Sequence, residues 1–232
     1  MLKFKKTSRL QDFKTGISSV LISSLLFFGI YSAYAATGVA TLQVAVQSSL
    51  TFAVSNNTTF PNLTPGTAVF ATTTLSMITN NAAGWNVSLE GDSQSPTDTV
   101  MDLSSDASVG ITDQLEWING AATTSAGNAV RIGSLDNTGD VLAFRVMTAS
   151  STNGVPFLAS SWWGTTDVYT DSATTLWAGI ASTTVKRQIG NAGTGSYSAS
   201  EHLNTVLYYV DVGSSQQTGT YDGALTYTAT AN

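Results

Sequence analysis

The sequence predicts an all-β fold: an antiparallel two-sheet β-sandwich with a loop-rich middle insertion, preceded by an N-terminal signal peptide. Three observations carry that reading. Apolar and polar residues alternate near both ends of the chain. Thr and Val are abundant and Ala-rich runs are short, which favours strands over helices. A basic, then apolar, then small-residue succession opens the chain.

The opening is read first. Lys3, Lys5, Lys6, Arg9 and Lys14 precede an apolar run over residues 17–35 that ends in Ala33, Tyr34 and Ala35. A charged head, a greasy middle and a small-residue exit are the parts of a secretory signal. The expected domains are therefore 1–35, a signal peptide, and 36–232, a single β-sandwich domain whose section 96–199 is irregular. The expected location is secreted or on the extracellular cell surface. Lys14, Thr15 and Gly16 before Ile17 also resemble a pilin-type processing site. An uncut run of this length could instead stay in the membrane.

The strands follow in order. Ala40, Leu42, Val44, Val46, Leu50, Phe52 and Val54 share one parity, which predicts a long first strand or strand pair. Val69, Ala71, Thr73, Leu75 and Met77 form a second run, and Trp85, Val87 and Leu89 a third. Asn80, Asn81 and Gly84 lie between these two, so they read as a β-hairpin. In the middle, 129–132 and 141–147 read as strands, and 198–204 as the one helical turn. Residues 206–212 are apolar on both parities, which predicts a strand covered on both faces. Tyr221, Leu225, Tyr227 and Ala229 alternate to the end. The first strand is expected to close its own sandwich, beside the last.

Composition narrows the function. Beyond residue 35 the bases are Arg131, Arg145, Lys186 and Arg187, against fourteen acids, a formal net charge of −10. Such a chain repels nucleic acid and anionic lipid. The absence of cysteine excludes disulfides, thiol catalysis and a lipid-modified cysteine.

A family resemblance enters through two stretches. Gly84, Trp85, Asn86, Val87, Ser88 and Leu89 follow a Thr-rich strand and an Asn-rich turn. The stretch 216–229 closes through Tyr221, Gly223, Leu225, Tyr227 and Ala229. Together they resemble the WxL-domain family of bacterial cell-surface proteins. Trp85 and Val87 match the first motif, with Val for Leu. Tyr227 and Ala229 match the second, with Tyr for Trp and Ala for Leu. The resemblance spans the two ends and implies a β-sandwich held non-covalently at the cell wall.

Candidate chemistry is sparse. Trp85, Trp162 and Trp163 are the candidate ligand-binding residues, because an exposed indole offers sugar rings or another chain a flat apolar platform. Adjacent aromatics on a strand point to opposite faces, so one of Trp162 and Trp163 could be buried and the other exposed. The competing reading places all three in the core. No cofactor is expected, although Asp136 and Asp140, spaced by Asn137, Thr138 and Gly139, could bind calcium. The competing reading is a turn feeding residue 141. Asp98, Asp102 and Asp106 read as solvated loop acids. His202, the one histidine, could centre a Ser-His-acid hydrolase, but a surface histidine at a turn fits better.

The expected function is that of an exported, non-enzymatic cell-surface or wall-associated protein, serving adhesion, envelope structure or glycan contact. Its partners would be a wall glycan or a surface protein. The alternative is a subunit of an extracellular filament or surface layer that joins copies by β-strand addition. A hydrolase is the third reading.

Overall fold

The computed structural model describes residues 43–55, 58–91, 99–118, 128–135, 140–147, 162–181, 186–192 and 198–232. The side chains of 198–200 lie outside this description, as do residues 1–35, expected to be a signal peptide, and the sequence around Asp136. The chain divides into two compact units, Met1–Val46 and Gln47–Asn232. Of the first unit only residues 43–46 are described. The second is all-β, as expected.

Among the described residues ten strands form three antiparallel sheets: β1 (Leu50–Val54), β2 (Val69–Thr79), β3 (Trp85–Gly91), β4 (Met101–Leu103), β5 (Asp106–Ile111), β6 (Val141–Val146), β7 (Arg187–Ala192), β8 (Ser198–Asp211), β9 (Tyr221–Asp222) and β10 (Leu225–Ala231). The large sheet has the order β1-β2-β8-β6 and the small sheet β10-β3-β7; β5-β4-β9 is a separate flap.

One apolar core lies between the large and small sheets. It joins Leu75 and Met77 of β2, Leu142 and Phe144 of β6 and Val206 and Val210 of β8 to Trp85, Val87 and Leu89 of β3 and Ile189 of β7. The two layers are also joined by the phenol groups of Tyr208 and Tyr227, which hydrogen-bond to each other. Burial pushes both phenols above their ordinary pKa. The outer face of the large sheet carries a second core of Val141, Ala143, Leu207 and Tyr209, covered by Leu135 and Trp177. This double cover explains why β6 is buried at every position and why 206–212 lacks a polar face.

Four expectations need correction. Residues 75–89 do not form a hairpin. β2 pairs with β1 and β8, while β3 pairs with β10 and β7, so Asn80–Gly84 arches from one sheet to the other. Gly84 takes φ 89° there, a conformation that suits glycine. Residues 198–204 are strand, not a helical turn. Residues 129–132 supply only an isolated bridge between Val130 and Trp177, then a 3-10 turn at Ile132–Ser134. Residues 40–42 of the expected first run lie outside the described residues; the first strand among those described begins at Leu50, and it pairs with β2 rather than with the last strand. Residues 43–49 belong to no strand, and Val44 and Val46 are 85% and 79% exposed.

Candidate functional site

The two lateral sides of the sandwich are built differently, and the candidate residues sort between them. At one side β6 ends the large sheet and β7 ends the small one. Neither edge is bare. Along β6, Leu142 N–H donates to Thr112 and Gln114 N–H donates back to Leu142; Phe144 and Ala178 exchange two backbone bonds of 2.8 and 3.0 Å. Gly179 allows the two covering segments to approach, since a Cβ there would overlap the Gln114 carbonyl. Along β7, Trp117 Nε1 donates to the Gln188 carbonyl at 2.8 Å and Trp163 Nε1 to the Ile189 carbonyl at 3.1 Å. Ile189 is the extra residue of a β-bulge, which is how two successive carbonyls can both be reached.

The indoles also pack on one another. Trp117 lies 4.6 Å from Trp163 and 5.5 Å from Trp162 between ring centres, and Trp163 lies 5.1 Å from Phe144. Trp162 and Trp163 are 2% and 0% exposed, so neither member of the pair is an outward platform. The reason is the local turn at Gly164, with φ 85°, which removes the strand geometry that would have split them. Trp85 is likewise 0% exposed, in the core on β3.

Behind this seal lies a residue that the sequence reading did not single out. Arg145 projects from the outer face of β6 and is fully buried. Its guanidinium donates to the Trp163 and Thr166 carbonyls, both at 2.9 Å, and pairs with Asp167 at 2.8 Å. Trp177 lies 5.8 Å below it. Burial pulls the arginine pKa down and the Asp167 carboxylate opposes that pull. The visible signal was a lone arginine inside an apolar strand.

His202 is not at a surface turn. It sits within β8, 1% exposed, opposite Met77 and 6.4 Å from the Trp85 ring. Among the described residues neither ring nitrogen has a hydrogen-bond partner, and the same holds for the Asn204 amide two residues on. Burial pushes the imidazole below its ordinary value of 6.5. Glu201 does not join it. The Ser76 hydroxyl, on the large sheet's other face, donates to that carboxylate. Ser, His and acid therefore do not converge here.

Asp140 is engaged within the fold. Its carboxylate accepts from Thr112 N–H at 2.9 Å and from the Thr112 hydroxyl at 3.1 Å. Its proposed calcium partner Asp136 lies outside the described residues, as does Asp98. Asp102 accepts from the Thr99 hydroxyl and Asp106 from Ser108. Among the described residues no three acidic or histidine groups gather to hold a metal ion.

The other side of the sandwich ends in β1 and β10. Among the described residues nothing pairs with the outer edge of either strand. Their inward side chains Leu50, Phe52, Leu225, Tyr227 and Ala229 are only partly buried, whereas Leu142, Phe144, Val146 and Ile189 opposite are fully so. No charged residue occurs between positions 36 and 89 or between 223 and 232. The two stretches that carry the WxL resemblance meet here as paired strands, with Tyr227 opposite Leu89 and Ala229 opposite Val87.

Comparison with protein-family models, curated proteins and solved structures gives no match for this chain.

Proposed function

We propose that this is an exported, non-enzymatic cell-surface protein whose work is structural: it contributes to an envelope layer or filament through contacts between sandwiches. The observation that carries this is the β1/β10 side. Exposed edge strands template pairing with another chain, and proteins that stay monomeric blunt them with lysines, prolines or inward charges. β1 and β10 contain none of these. Glycan contact is supported less, because Trp85, Trp162 and Trp163 are all internal. A histidine-centred hydrolase is supported least, because the His202 ring faces Met77 and Trp85.

The test is the assembly state of the full chain recovered from the surface or medium of producing cells. Light scattering and electron microscopy should show concentration-dependent polymers or sheets. A strictly monomeric protein at high concentration, with no retention on isolated cell walls, would overturn the reading.

A further inference from the structure

We infer that β10 is an acceptor edge, and that residues 43–47 of a second copy add to it as the fourth strand of the small sheet. This rests on the structural role proposed above and names its contact.

The donor is defined by sequence and exposure together. Val44 and Val46 share one parity and Gln43, Ala45 and Gln47 the other, and the two valines are among the most exposed large apolar residues described. A segment of this pattern, once extended, offers backbone groups along one edge and one apolar face, which is what a sheet edge can satisfy. Its last residue, Gln47, and Ser49 beyond it are held at Asn80: the Asn80 amide donates to the Gln47 carbonyl at 3.0 Å, and Ser49 N–H donates to the Asn80 side chain at 2.6 Å. The donor is thus tethered to its own sandwich at one end.

The acceptor follows from width and cover. Among the described residues the small sheet has three strands against four in the large one. A strand beside β10 makes them equal, whereas one beside β1 would extend the large sheet further past the small. It would also place Val44 and Val46 next to Leu225, Tyr227 and Ala229, the inward residues that now lack full cover. β10 has seven residues, enough to pair a five-residue segment throughout. Charge selects the same place. Copies of a net-negative chain repel, and they meet at least cost where neither partner carries charge. Both the donor and β10 lie in the uncharged stretches, and the Lys186 ammonium that donates to the Thr228 hydroxyl is neutralised by Glu90. The contact is head-to-tail, since the donor and acceptor surfaces differ, so repeated from copy to copy it builds a ring where the rotation closes and an open filament where it does not.

The chain has no cysteine, so single reporters are clean. Ala45→Cys and Thr228→Cys mark the centres of the two segments, on the outward side of each. They come opposite one another whichever way the added strand runs, within reach of a disulfide. Mixing the two singly substituted full-length proteins under oxidising conditions should yield a covalent dimer. That dimer should be lost when exposed Thr170→Cys replaces Thr228→Cys. A peptide of residues 40–49 should also shorten the polymers, and a scrambled peptide should not. Polymers that form without the cross-link and ignore the peptide would overturn the acceptor assignment and leave the structural role standing. A cross-link confined to single chains carrying both cysteines would show that the segment closes its own sheet, again overturning it. A protein monomeric under every condition would remove both.

Discussion

The β6/β7 side and the β1/β10 side of this sandwich solve the same problem in opposite ways. Both must end a sheet. On the first, backbone groups find partners in crossing segments and indole N–H groups, and the inward residues are buried completely. On the second, among the described residues the edges are unpaired, the inward residues are half-covered and the two edge strands themselves carry no charged residue. The difference teaches that tryptophan content is a poor guide to recognition in such a chain. Here the indoles close one edge, and among the described residues the other edge has no such cover. Sealing takes bulk and hydrogen-bond donors, while strand addition needs a backbone that nothing obstructs.

That contrast can be broken experimentally. Trp163 and Phe52 occupy the sealed and open sides, and their truncation should differ most. Trp163→Ala should cost about 3–5 kcal/mol, as for buried aromatics generally, because it empties the seal and strips the Ile189 carbonyl of its donor. Phe52→Ala should cost about 1–2 kcal/mol, because solvent already reaches the ring. Urea denaturation of the two variants checks this; equal losses would show that the sides are not differently packed.

A nearly equal loss is expected behind the seal. Asp167→Ala leaves the Arg145 guanidinium buried without its counter-charge, at a cost of about 3–5 kcal/mol. Replacing both residues together with apolar ones of similar size should recover much of that loss. A double variant as unstable as the single one would show that the ion pair does more than neutralise itself.

The smallest effect is the pH response. His202 has a lowered pKa in the fold, so the unfolded chain binds a proton that the folded chain does not. Stability is therefore complete above the ordinary value of 6.5 and declines as pH falls below it towards the folded value. His202→Met should flatten the curve of stability between pH 7 and 5 relative to the native chain. An unchanged slope would mean that the imidazole is hydrated in the native state.

Much of the fold was legible because burial on one face imprints period two. β2, β3 and β10 could be read directly, and the double-sided apolarity of β8 announced a central strand. What could not be read was partnership. Leu75 and Met77 on β2, and Trp85, Val87 and Leu89 on β3, point inward in an arch as they would in a hairpin, so the pattern is blind to the choice. The start of β8 was hidden for a different reason. Its inward positions 202 and 204 are filled by His and Asn, so the alternation exists in burial but not in hydropathy. The candidate site was less visible still. The burial of Trp162 and Trp163 depends on segments far apart in sequence, and the bareness of β10 depends on which strands lie next to it.

The arch has one more consequence. Asn80 grips the chain just before β1, and Asn81 donates to the Asn232 carbonyl just beyond β10. A single five-residue loop thus pins strands at the margins of two different layers. Loosening it would slacken both margins in concert, so this loop acts as a shared hinge pin for the β1/β10 side.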